Sequence, residues 1–381
     1  MDDVRTESFG EIRRREPAGA APAPLFDRIR WRDPVSGSPL EPLVSARTPA
    51  GVPICGALRV AGTRLGYPIV DCVARLTPAL AEQYREWLAP FGLEPVPPPR
   101  SGGGFQPEST VESFGFQWNW HSEMRTEADL AWRVAGRFQV DPELFRGKLT
   151  LDAGAGAGDQ SRWILARGAE VVSVDLSNAI NVVARKLRMN PGWVGVQGDV
   201  TALPLQDGQF ELVYCEGVIQ HTRDSAMAVR ELARVLAPGG LLLATHYDRS
   251  KRLLGRIKLR YVEALRARWS RKDRDALLLT TGRMAALAQL PLLGPLLRLS
   301  GTVMVDRRMP DFKTTWVNTY DAYGPHAFQR YVATEAFWGY IDQADALETQ
   351  FRDGAAVVAR KEPRRAALRS ASVPAEAAVG A

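Results

Sequence analysis

Cysteine and histidine are scarce in this chain. Three cysteines (Cys55, Cys72, Cys215) and four histidines in 381 residues are too few and too scattered for a disulfide framework or a Cys/His metal cluster. No group of His, Cys and acids has metal-ligand spacing, so a metal-free site is expected. The N-terminus, M-D-D-V-R-T-E-S-F-G, lacks the apolar stretch of a signal peptide, which together with the sparse cysteines reads as a cytoplasmic protein. An uninterrupted membrane-spanning run is also missing. The most apolar stretch, 276–299, is broken by Arg283, Pro291, Gly294, Pro295 and Arg298.

Charge of one sign is not in broad excess. The formal net charge is +6, but residues 249–274 hold eleven Lys or Arg against Glu263 and Asp273, which leaves 38 basic and 41 acidic residues elsewhere. A generally basic, nucleic-acid-binding surface is therefore disfavoured. The composition, 45% hydrophobic and 24% charged, is that of a globular protein. Residues 1–24 and 363–381, rich in Ala, Pro and charge, read as disordered tails.

Against these absences stands one dense motif. Leu149 to Gly158 reads L-T-L-D-A-G-A-G-A-G, an apolar run ending at Asp152 and then Gly154, Gly156 and Gly158 at alternate positions. Glycine supplies positive φ and lets a ligand approach the backbone. Asp159 to Arg167 can continue as a helix with free N–H groups at its start. Strand, ligand-hugging turn and helix together open an α/β nucleotide-binding unit. The dinucleotide fingerprint is G-x-G-x-x-G; here the third glycine comes one residue early, and Asp159 would repel a pyrophosphate.

The downstream pattern continues this unit. Strands are expected at 169–174, 194–196, before Glu216, and at 241–247, with a helix over 229–238 stopped by Gly239-Gly240. Acids close successive strands: Asp152, Asp175, Asp199 and Glu216. The D-x-G-x-G-x-G loop, the strand-end acids and A-P-G-G before the fifth strand resemble the class I S-adenosylmethionine (SAM) methyltransferases, and more closely their type 11 group. The resemblance covers 148–248 and resumes at 334–361, whose pattern looks like the last helix and closing antiparallel hairpin. It implies an α/β fold: a Rossmann-like seven-stranded sheet with helices on both faces, a small N-terminal β-rich domain and a helical insert after the fifth strand. It also implies SAM as cofactor, with S-adenosylhomocysteine as product. The residues expected to bind it are Asp152, Ala153, Gly154, Gly156, Gly158, Asp175, Leu176, Asp199, Val200 and Glu216. Asp175 would accept from the ribose hydroxyls and Asp199 from the adenine amino group.

The flanking segments divide accordingly. Residues 25–98 resemble a small zinc-ribbon-like domain that precedes many methyltransferases, in its Pro, Gly, Tyr-Pro-Ile and Asp positions. The ligand positions of that pattern fall on Asp33, Ser36, Val60 and Thr63, so no zinc is expected. Residues 99–147 form a linker and lid, in which Phe114, Phe116, Trp118 and Trp120 alternate. They read either as a cover for the cofactor or as an aromatic strand or plug packed on the core. Residues 249–333 are an insert that begins with a basic amphipathic helix over 250–270. It is open to three readings: helices capping the sheet, the roof of an acceptor pocket, or a weak membrane-surface contact through 250–300. Residues 334–362 close the core. Tyr320, Asp321, Tyr323, His326, Gln329 and Arg330 make a polar and aromatic cluster, read as a loop that faces substrate or packs on the core.

Methyl transfer needs alignment and, for a hydroxyl acceptor, a base. His246 and His221 stand near strand ends and are the candidates, with Tyr247 and His326 as alternatives to His246; His221 reads equally as a structural hydrogen bond near the cofactor. The expected function is methyl transfer to a small or medium-sized organic acceptor, as an O-methyltransferase of secondary metabolism or glycoside tailoring. RNA methylation through the basic helix, and a SAM-binding regulatory or scaffold protein without turnover, are the alternatives. The oligomeric state is left open.

Overall fold

The computed structural model describes residues 23–99, 108–120, 125–246, 253–306, 308–324, 333–344, 346–353 and 355–362. The tails, and with them Tyr247, His326, Gln329 and Arg330, lie outside the described residues.

The N-terminal part comprises α1 (Leu25–Arg28), β1 (Trp31–Arg32), β2 (Pro39–Arg47), β3 (Pro53–Val60), β4 (Leu65–Val70), β5 (Val73–Arg75), α2 (Pro78–Gln83) and β6 (Glu94–Pro95). Helices α3 (Glu108–Trp120) and α4 (Glu127–Val134) follow. The alternating part is β7 (Leu149–Ala153), α5 (Asp159–Leu165), β8 (Glu170–Asp175), α6 (Ile180–Leu187), β9 (Trp193–Gln197), β10 (Phe210–Cys215), α7 (Ser225–Val235) and β11 (Leu236–Thr245). Then come α8 (Leu253–Trp269), α9 (Arg274–Leu287), α10 (Leu293–Ser300), α11 (Phe312–Tyr323), α12 (Thr334–Gln343), β12 (Leu347–Asp353) and β13 (Ala356–Lys361).

The thirteen strands among the described residues join one sheet, in the order β1-β2-β3-β4-β5-β9-β8-β7-β10-β11-β13-β12 with β6 beside β4. The sheet of the alternating part, β9-β8-β7-β10-β11-β13-β12, does not stop at β9: the N-terminal strands continue it through β5. β5 pairs in parallel with β9, Val73 opposite Gly195 and Arg75 opposite Gln197. The physical reason is that β9 would otherwise be an open edge. Buried Arg75 secures the joint, donating to Gln197 Oε1 at 2.6 Å and to Asn181 Oδ1 at 2.8 Å.

Side chains alternate across the strands as a period of two requires. Val172, Val213, Leu242 and Val357 point to the face covered by α7 and α12, and Trp31, Leu58 and Tyr67 of the N-terminal part join that same core. Val171, Leu212, Leu243 and Val358 point to the face covered by α4, α5 and α6, around Phe138, Phe145 and Trp163. The Ala237–Gly240 stretch lies inside β11 rather than after a helix; α7 stops at Val235 and the register against β10 shifts between Phe210 and Leu212.

Two segments differ from their expected form. The aromatic run is the helix α3, not an extended strand, because a period of two also contains the i, i+4 spacing of a helix face. Phe114 and Trp118 share one face and line the cavity described below. Phe116 and Trp120 meet Tyr320 and Trp316 of α11, with Trp120 and Trp316 edge to face at 4.5 Å. The polar-aromatic cluster is likewise helical up to Tyr323: Asp311 caps α11 by accepting from Thr314 N. Tyr320 and Tyr323 are buried in a small core with Trp269 and Leu277, so those two do not face a ligand.

Candidate active site

The β7–α5 loop has positive φ at Gly154, Gly156 and Gly158. A Cβ at Gly154 would fall 2.1 Å from Val218 Cγ2, which no side chain could tolerate. Beneath the loop a chain of hydrogen bonds ties β7, α5, β8 and β9 together. The Ser161 hydroxyl donates to Asp152, Ser161 and Ser173 lie 2.7 Å apart, and Trp193 Nε1 donates to Ser173 Oγ at 2.9 Å. Burial pushes the Asp152 carboxyl up to about 7, with Ser161 pulling against it and the nearby Asp175 and Glu216 adding to it.

A cavity of ≈ 1540 Å³ opens above this loop. Small-molecule pockets typically run to about 300–1,000 Å³, so it has room for more than one ligand. Of the expected cofactor residues, Gly154, Gly156, Asp175, Leu176, Asp199, Val200 and Glu216 line it, and so do His221 and His246. Asp152, Ala153 and Gly158 do not. Asp152 is held by Ser161, and a Cβ at Gly158 would meet Val183.

Asp175 accepts from Gly156 N at 2.8 Å through Oδ2, and from Ser177 N and Oγ through Oδ1. Asp199 accepts from Thr201 N and Oγ1 through Oδ1 alone. Burial raises both carboxyls while these bonds lower them. Glu216 lines the cavity and is already paired. It accepts from Arg133 at 2.9 Å, Arg137 at 2.7 Å and the Tyr214 hydroxyl at 2.8 Å. Burial pushes Glu216 up, but Arg133, Arg137 and Arg125 outweigh it and hold the carboxyl at about 2.

Arg133 also reaches Asp129 on its own helix at 2.8 Å and Asp306 of the insert at 2.6 Å. These arginines were not anticipated. The signal was present as Arg125, Asp129, Arg133 and Arg137 at intervals of four, the spacing of one helix face. Asp159 is not a bare charge either: it pairs with Lys186 at 3.2 Å, which removes much of the repulsion assigned to it.

His221 lies beyond the end of β10 and His246 beyond that of β11. His221 ends a short 3₁₀ turn and packs edge to face against Phe114 at 4.9 Å. His246 follows β11, stacks on Phe337 at 4.2 Å and has Nε2 3.5 Å from Thr334 Oγ1. Both are almost fully buried. The insert supplies the rest of the wall, including Pro295, Leu299, Met304, Asn318 and Asp321. Gln117 of α3, also in the wall, is buried with Oε1 lacking a hydrogen-bond partner among the described residues. Among those residues no group of three or more His, Cys, Asp and Glu could hold a metal ion.

The parallel strands β9-β8-β7-β10-β11 are followed by the antiparallel pair β13 and β12, with the glycine loop after β7, Asp175 at the end of β8 and Asp199 just beyond β9. Residues 151–244 match the family model described as "Methyltransferase domain". The malonyl-[acyl-carrier protein] O-methyltransferase of Enterobacter lignolyticus (strain SCF1) is 40% identical over 95 residues, 25% of this chain and 37% of that protein. The ubiquinone biosynthesis O-methyltransferase of Pseudomonas paraeruginosa (strain DSM 24068 / PA7) is 32% identical over 107 residues, 27% of this chain and 46% of that one. The chain thus spans less than half the length of these curated relatives. Among solved structures, the Burkholderia thailandensis 1,6-didemethyltoxoflavin-N1-methyltransferase, with bound 1,6-didemethyltoxoflavin and S-adenosylhomocysteine, aligns with a TM-score of 0.40 at 13% identity. That alignment covers 66% of this chain and 87% of that one.

Proposed function

We propose that the chain transfers a methyl group from SAM to a small or medium-sized organic acceptor, as an O-methyltransferase of secondary metabolism or glycoside tailoring. The observation that carries this reading is that one cavity joins the glycine loop, Asp175 and Asp199 to two buried histidines and to the insert. The Gly154 cradle, which a Cβ would fill, and Asp199 Oδ2 fit a nucleoside. The arginine–Glu216 group fits an amino-acid end that carries both charges. SAM supplies an activated methyl on a sulfonium, so no metal or redox partner is required.

The remaining work falls to the chain. Asp175 accepts from the ribose hydroxyls and Asp199 from the adenine amino group, with Leu176 and Val200 flanking the base. Gln117, Asn318 and Asp321 hold the acceptor in line with the methyl, and alignment carries much of the rate. His246 takes the acceptor's proton; its stacking on Phe337 and contact with Thr334 fix the ring. His221, wedged against Phe114, positions α3 over the cofactor.

Isothermal titration with SAM tests the reading directly: absence of binding by the folded protein refutes it. Asp175→Ala is expected to weaken binding by about 2–4 kcal/mol. His246→Gln is expected to lower kcat by roughly 10²–10⁴ while leaving SAM affinity in place; an unchanged kcat assigns the proton elsewhere.

The N-terminal strands we read as a ribbon-type unit that dispenses with metal. Asp33 stands at a former ligand position, and its carboxylate accepts from the Tyr67 hydroxyl at 2.7 Å and from Val35 N, Ser36 N and Ser36 Oγ. Four hydrogen bonds thus engage the Asp33 carboxylate.

A further inference from the structure

Helix α10 has an apolar face turned to solvent. Leu292, at its N-cap, Leu296 and Leu299 recur at helical spacing and are 86%, 64% and 77% exposed, and Leu293 and Leu290 extend the patch. A run of exposed leucines on one short helix is not the pattern of a solvated surface. Ile257 and Tyr261 of α8, also exposed, adjoin it: Tyr261 Oη lies 3.0 Å from Thr302 Oγ1, and Lys258 Nζ donates to Arg298 O. Lys258 and Arg298 stand at the seam, and α8 and its end carry the exposed cations Arg260, Arg268, Arg271 and Lys272 against the exposed acids Glu263 and Asp273. The same helix borders the cavity, since Pro295, Arg298, Leu299 and Lys258 line it. The apolar face and the mouth of the cavity are therefore continuous.

We infer that α10 and the adjoining face of α8 dock on an anionic lipid bilayer, placing the cavity mouth at the membrane surface so that the acceptor is an amphiphile taken up from the lipid phase. Leucines that enter the acyl region, beside Lys258, Arg298 and a net basic α8 that meet anionic headgroups, match the requirements of an interfacial helix. No described helix is long and apolar enough to cross a membrane, so the contact is peripheral. The amphiphilic acceptor rests on the methyltransferase reading of the cavity; the docking does not.

The test is co-sedimentation of the full chain with vesicles of equimolar phosphatidylglycerol and phosphatidylcholine, and with vesicles of phosphatidylcholine alone. The protein is expected to pellet with the anionic vesicles, and the Leu292→Glu/Leu296→Glu variant to partition at least tenfold more weakly, at unchanged Tm and unchanged SAM affinity. Neither leucine lines the cavity, so a loss of binding with Tm intact reports on docking alone. Wild-type protein that stays in the supernatant overturns the inference, as does a double variant that binds like wild type. So does wild-type protein that ignores vesicles but is retained by an acidic carrier protein, which would make the face a protein-docking site. SAM titration on the same samples separates failure of docking from failure of the methyltransferase reading.

Discussion

Gly154 and Val218 compete for the same space in the cavity wall: a Cβ at 154 lies 2.1 Å from Val218 Cγ2, and both residues face the proposed cofactor position. Gly154→Ala must therefore displace the β10 end and also hold an L residue at φ +85. We expect SAM affinity to fall at least tenfold, by more than about 1.4 kcal/mol. Adding Val218→Ala relieves the clash but not the backbone strain, so only partial recovery is expected by titration.

Arg133 neutralises three carboxylates from three parts of the chain, Asp129, Glu216 and Asp306. Arg133→Ala leaves those charges buried without their common partner. A loss of roughly 3–5 kcal/mol is expected in urea unfolding. Arg133→Lys should restore little of it, since an ammonium cannot serve three directions as a guanidinium does.

Asp152 shapes the pH dependence of stability. Its folded carboxyl titrates at about 7 against about 3.9 unfolded, so the native state binds the extra proton between these values. Stability from this group is fully present below the lower value and is lost as pH rises through 7. The decline amounts to roughly 2–4 kcal/mol. Asp152→Asn should flatten the fall of Tm from pH 5 to 8, and an unchanged slope would contradict the assignment.

Chelation should leave the N-terminal part intact. With Asp33 saturated by Tyr67, Ser36 and Val35, EDTA is expected to leave Tm unaltered, and elemental analysis to find no stoichiometric zinc. Tyr67→Phe, by contrast, removes a buried donor from Asp33 and should cost about 1–3 kcal/mol.

Removing residues 1–98 should expose β9 as a long apolar edge, Trp193 to Gln197, all buried in the intact chain. Such edges invite strand addition. The shortened chain is expected to aggregate in size-exclusion chromatography, and a monodisperse, SAM-binding fragment would show that β5 is dispensable.

Much of the cavity floor was legible because glycine spacing and strand-end acids are local signals. The Gly154–Asp175–Asp199 series needs only the order of the chain. The arginine group was not legible as a site, because α4 precedes the motif and meets Glu216 only through tertiary packing. The aromatic run stayed open to more than one form because alternate residues satisfy both periods at once; the four cannot be sorted into two faces until α11 supplies Trp316 and Tyr320. The joined sheet was hidden for a similar reason, since nothing in V-A-R at 73–75 announces a partner in W-V-G-V-Q at 193–197.

That joint has a temporal side. β5 leaves the ribosome ~120 residues ahead of the strand it pairs with, an interval of roughly 6–25 s at about 5–20 residues per second. Val73 to Arg75 has no β9 to pair with through that interval, so the joint closes only once residues 193–197 have emerged.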